Sequence, residues 1–168
     1  MIAEPKFEFI HDSIRVRLIE DWTFPLEKGL IAIVPKGFET DLASIPRFLW
    51  PIFSPMGDFR MASILHDFGY QYGYLLSPTI SQVYNRQSIK FRKEHKEFGL
   101  YTPVFVGKDR KFFDELFRYV TIKATGAKVK ANVAYFGLRM FGWIAWNKYR
   151  RKGSAAFNTN SLNLPESK

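Results

Sequence analysis

Residues 35–58 read PKGFETDLASIPRFLWPIFSPMGD, and four prolines in this stretch exclude a continuous helix before Asp58. The chain on either side follows different periods, so this ordered connector divides it. Upstream, FEFI at 7–10 and IRVRLIE at 14–20 are strand formers separated by the turn residues HDS, which predicts a hairpin. Turns at Lys28-Gly29 and Lys36-Gly37 around the apolar run Leu30 to Val34 extend it into an antiparallel meander over residues 1–40. Downstream, Met61, Ile64, Leu65 and Phe68 recur at helical spacing, predicting a helix from about Phe59 to Tyr72 with Asp58 as its N-cap.

Two further helices follow. DRKFFDELFRYVTIKAT is expected to be capped by Asp109, ended by Gly126, and turned inward through Phe113, Leu116, Phe117 and Val120. The next runs from about Lys128 to Arg150 and contains ANVAYFGLRMFGWIAW, apolar except for Arg139. That run is shorter than the roughly 20 residues a bilayer span needs and carries a charge at its centre, so no transmembrane segment is expected. A buried core helix is one reading. The other is a helix lying on an anionic membrane, with Trp143, Trp146, Lys148, Arg150, Arg151 and Lys152 as a basic, aromatic surface.

The expected fold is α+β: an N-terminal antiparallel β meander packed on a three-helix core. One globular domain covers residues 1–152, its helical part spans 58–150 with a hairpin or irregular excursion at 77–107, and 153–168 form a flexible tail. The 46% hydrophobic content excludes a disordered chain, and the absence of cysteine excludes disulfides, thiolate nucleophiles and Cys-based metal sites. MIAEPKFEFI does not read as a secretory leader, so synthesis in a cytoplasm is expected. Charge is uneven. Residues 1–85 hold seven Lys/Arg against ten Asp/Glu, and the rest eighteen against six, so the second half suits phosphates of lipid or nucleic acid. No nucleic-acid-binding motif accompanies it.

The chemistry centres on SILHDFGYQYGY at 63–74. On a helix His66 and Tyr70 share a face while Asp67 looks to the side. A histidine among Leu65 and Phe68 needs a polar partner, and Asp114 interrupts the phenylalanines of the second helix. Antiparallel packing of the two helices lets Asp114 accept from one nitrogen of His66, leaving the other as a base for water, with Asp67 available to a hard cation. The same residues also fit a non-catalytic His-Asp-Tyr network that pins two helices together. His11-Asp12, in a turn without a matching tyrosine, is assigned no role. Thr40, Asp41, Ser44 and Pro46 read as a structural clasp, since Asp41 and Ser44 are spaced for a turn or cap and Pro46 fixes the exit. A Ser44 nucleophile served by His66 is a further reading, without a G-x-S-x-G elbow.

The blocks VPKGFETDLASIPRFLWPIFSPMGDFRMASILHDFGY, DRKFFDELF and VAYFGLRMFGWIAW resemble a family of small bacteriophage and prophage proteins classed as a domain of unknown function. Phe113 departs from the alanine usual before its aspartate, and residues 77–107 are longer than its usual connection. The paired helix blocks are more distantly similar to secreted and parvoviral phospholipase A₂. That resemblance implies a calcium-dependent lipid-ester hydrolase with His66 as base, Asp67 as calcium ligand, and Tyr70 and Asp114 orienting the histidine. The glycine-rich calcium loop of those enzymes has no counterpart here, and Asp41 is the alternative donor. The phage resemblance also implies manufacture in a bacterial host cytoplasm, with phage structural proteins as partners. The second function it leaves open is a non-catalytic virion (tail or neck) or assembly component.

Overall fold

The computed structural model describes residues 2–11, 15–41, 57, 59–78 and 101–151. The fold is α+β, with antiparallel strands at the N-terminus and three helices. β1 (Phe7–Phe9) pairs with β2 (Val16–Leu18), the expected hairpin, and β2 pairs in turn with β5 (Glu39–Thr40). β3 (Trp22–Pro25) and β4 (Ile31–Val34) form a second hairpin across Lys28 and Gly29, both at positive φ as a tight strand-to-strand turn requires.

The strands build two sheets where the sequence predicts one meander. β6 (Leu75–Ser77) and β7 (Thr102–Val104) complete a four-stranded sheet in the order β3-β4-β6-β7. The chain entering and leaving the expected excursion therefore meets as antiparallel partners, with Ser77 opposite Thr102. Alternation sets the faces: Trp22 and Phe24 point into the core while Thr23 and Pro25 point out.

α1 (Arg60–Tyr72) lies between the sheets and the other helices, with Ile64, Leu65 and Phe68 fully buried. Its N-cap position is Phe59, which makes no side-chain cap bond; Asp58, the expected cap, lies outside the described residues. α2 (Arg110–Thr125) starts as expected, with Asp109 accepting from the Phe112 amide at 3.0 Å, and ends on Gly126 in the left-handed conformation. Phe59 stacks on Phe117 and His66 reaches Asp114, so the two helices run antiparallel.

That approach is close because residue 69 is glycine. A Cβ there would overlap the ring of Phe113, which is completely buried. Alanine propagates a helix better by about 1 kcal/mol, but forcing a methyl group against a fixed ring costs about 1–3 kcal/mol. Gly69→Ala is therefore expected to lower stability, measured as a fall in denaturant midpoint with unchanged slope.

α3 (Lys128–Arg151) overturns the buried-core expectation for the long apolar run. It packs on α1 and α2 through Ala131, Ala134, Gly137 and Leu138, and turns its larger apolar residues outward. No described helix is long and apolar enough to cross a membrane.

Candidate functional site

Asp114 is the point at which the three helices meet, and its carboxylate is wholly shielded from solvent. One oxygen, Oδ1, accepts from His66 Nε2 at 3.2 Å and from the Tyr70 hydroxyl. The other, Oδ2, accepts from Arg139 Nη1 at 2.8 Å and Arg110 Nη1 at 3.3 Å. A carboxylate offers about four lone-pair sites, so these donors saturate it.

His66 is clamped from both sides. Its Nδ1 lies 3.4 Å from Asp67 Oδ1, while Asp67 Oδ2 accepts from the Thr40 hydroxyl. Thr40 of the expected clasp is therefore tied to the helix that carries the histidine. Asp67 remains partly exposed, at 18%, where His66 is at 2%. Both line a cleft of about 460 Å³ between α1 and α3, which Tyr70 and Asp41 also line together with the apolar Leu138, Phe141 and Ile144. Gly142 brings α3 close enough that a Cβ would strike the Tyr70 hydroxyl.

The electrostatics follow from this clamp. Burial alone would lower the His66 pKa, but hydrogen bonds and charge from Asp114 and Asp67 outweigh it and hold the imidazole above its ordinary value. Burial would raise Asp114, yet its bonds from His66, Tyr70 and Arg139 keep it below the usual carboxylate range. The Tyr70 phenol is pushed up by burial and by Asp114, so it stays a donor. Tyr149 is pushed up to about 12 by burial first and then by the charges of Asp67 and Asp41, which places both carboxylates within electrostatic reach of the cleft's edge.

A raised native pKa means that the folded protein holds the His66 proton more tightly than the unfolded chain. Its stabilisation is fully present below about pH 6.5 and is lost as pH rises through the native value. Asp114 behaves oppositely: its contribution is present above about pH 4 and is lost as pH falls through its lowered value. Unfolding free energy of the wild type should therefore fall from pH 6 toward pH 9, and this slope should be absent in His66→Gln.

A family model described as a protein of unknown function (DUF1353) matches residues 16–138. The chain belongs to this family. The matched span runs from β2 into α3 and holds Thr40, Asp41, His66, Asp67, Tyr70 and Asp114, stopping one residue before Arg139. No curated protein and no solved structure matches the chain.

Within this DUF1353 chain the remaining sequence-derived positions scatter. Ser44, Pro46 and Lys152 lie outside the described residues. Trp143 is 53% exposed, and Lys148 lines the cleft. Trp146 packs edge-on against Tyr70 at 5.3 Å and against Phe113, and is partly buried. Arg150, expected on the basic surface, turns inward instead. Its Nη2 donates to the Tyr70 carbonyl at 2.7 Å, satisfying the C-terminal end of α1, while its guanidinium lies over Trp146.

Two residues of the site escaped the sequence reading, Arg110 and Arg139. Arg110 stands one helical turn before Asp114, an i,i+4 pair visible in principle. Arg139 is the one charge inside the apolar run, and a buried acid elsewhere in the chain was its natural partner.

Proposed function

We propose that this protein hydrolyses esters of apolar acyl chains, lipid esters among them, with His66 as general base. The observation that supports the reading is the junction of a carboxylate-anchored histidine with a cleft whose remaining wall is largely apolar, through Leu138, Phe141, Ile144 and Ala145. Both ring nitrogens face carboxylates that only accept, so His66 acts as a base after Nδ1 gives up the proton it directs at Asp67 Oδ1; Nε2 keeps its proton on Asp114, and the freed Nδ1 is the nitrogen that takes one from water. Neutral His66 removes a proton from water at Nδ1 as the water oxygen bonds to the ester carbonyl carbon. The carbon–oxygen bond to the alcohol then breaks, and His66 returns the proton to the departing alkoxide. Asp114, Tyr70 and the two arginines hold the ring in place throughout and stabilise the imidazolium.

The negative charge developing on the carbonyl oxygen needs a positive partner. Asp67 and Asp41 are the carboxylates at which calcium would be held. A bound ion would polarise the carbonyl. Calcium takes six to eight oxygens, and no group of three or more His, Asp or Glu side chains converges among the described residues. The further donors would therefore be hydroxyl, carbonyl and water oxygens; the Lys148 ammonium at the same cleft is the alternative charge.

In this reading the partner is lipid, and the phage resemblance fits an enzyme made in a host cell and used there or in a virion. The test is release of fatty acid from phosphatidylglycerol vesicles with and without calcium. Millimolar calcium should raise the melting temperature of the wild type by a few degrees through binding to the native state, and Asp67→Asn should abolish the rise. Hydrolysis that is indifferent to calcium, with no shift in melting, would move the oxyanion role to Lys148. A wild type that releases no fatty acid under either condition would leave the network as a helix-pinning device of a non-catalytic virion or assembly component.

A further inference from the structure

Val129, Val133, Phe136, Met140, Trp143 and Ile144 stand on the outer side of α3 at 43% to 77% exposure. The first five step by four, three, four and three residues, which draws one straight stripe along the 24-residue helix. The inner side carries Ala131, Ala134, Gly137 and Leu138. This helix is inverted relative to an ordinary surface helix, with small residues inward and large apolar ones facing water. A stripe of this size marks a docking surface.

Charge identifies what docks. Apart from Arg139 and Arg150, which turn inward onto Asp114 and the α1 carbonyls, residues 128–151 hold Lys128, Lys130, Lys148 and Arg151 and no acidic residue. A second copy of α3 would set basic ends against basic ends whether it ran parallel or antiparallel, because both ends are basic. An anionic bilayer satisfies the stripe and the charge together. We propose that α3 lies along the surface of an anionic membrane, with Phe136, Met140 and Trp143 seated at the boundary of headgroups and acyl chains. Lys128, Lys148 and Arg151 then meet the lipid phosphates.

This orientation also aims the cleft. Phe141 and Ile144 line its apolar wall and are the immediate sequence neighbours of Met140 and Trp143. A lipid leaving the bilayer would thus enter beside the docked stripe. That consequence rests on the hydrolase reading, whereas docking does not require turnover.

Flotation is measured for the wild type and for His66→Gln, so that failure of catalysis and failure of docking are separable. Both proteins should float with vesicles of equal parts phosphatidylglycerol and phosphatidylcholine, and stay behind with phosphatidylcholine alone. Added salt should weaken the association. The combined variant Phe136→Ser, Met140→Ser, Trp143→Ser should stay folded and melt within several degrees of the wild type, because these side chains are more than half exposed, and should lose at least about tenfold in vesicle affinity. Wild-type protein that ignores anionic vesicles overturns the proposal, as does a combined variant that binds them undiminished. A wild-type dimer in sedimentation equilibrium that this variant converts to monomer would assign the stripe to a second copy instead.

Discussion

Replacing His66 with glutamine is expected to reduce ester hydrolysis by about a thousandfold, within the range that positioned general bases contribute. Glutamine has similar volume and its amide can still donate to Asp114 Oδ1, but it cannot accept a proton from water near neutral pH. Folding should survive, for a reason visible in the site. With the imidazole gone, Asp114 keeps the Tyr70 hydroxyl and the guanidinium groups of Arg110 and Arg139. The loss is one charge-assisted hydrogen bond, about 1.5–3 kcal/mol. Circular dichroism and melting of the variant beside its fatty-acid release separate the two effects.

The opposite balance is expected at Asp114. Asp114→Ala removes the one acceptor shared by His66, Tyr70, Arg110 and Arg139, and leaves their polar groups facing one another inside the three-helix junction. Breaking a buried charge pair from one side costs roughly 3–5 kcal/mol. At about 2–4 °C per kcal/mol for a chain of this size, melting should drop by on the order of 10 °C. Activity would fall with it, since the histidine loses both its orientation and the charge that stabilises its protonated form. A variant that melts like the wild type would mean that the carboxylate contributes nothing net to the junction.

The residues legible in the sequence were those whose partners are local or whose polarity contradicts their surroundings. Asp109 and Gly126 mark their helix by local capping alone. His66 and Asp114 were legible as a pair because each interrupts an apolar stripe, and two such interruptions bury most cheaply against each other. The two-sheet topology was not legible. It depends on β4 meeting β6 beyond a helix, which no local period encodes.

The orientation of α3 misled for a different reason. Large apolar residues predict burial, but here close approach is set by Ala131, Ala134 and Gly137, whose small size lets the helix backbone reach α2. Once the small face is inward, Arg139 falls within 2.8 Å of Asp114 and the apolar residues opposite are left outside. The signal was present as small residues at helical spacing. Hydrophobicity alone masked it.

In the proposed hydrolysis, base and clamped residue are the same histidine, which couples activity to pH in a definite direction. The carboxylates that hold the imidazolium must be overcome before Nδ1 can accept a proton, so the rate should rise as pH passes through a His66 pKa lying above its ordinary value. The direct measurement is fatty-acid release from phosphatidylglycerol vesicles across pH 5 to 9, for the wild type and His66→Gln together. A single rise with its midpoint above about pH 6.5 in the wild type, and release by the variant about a thousandfold lower with no such rise, is the predicted result. Equal release by the two proteins, or a wild-type rate that does not change across that range, would contradict His66 as the base.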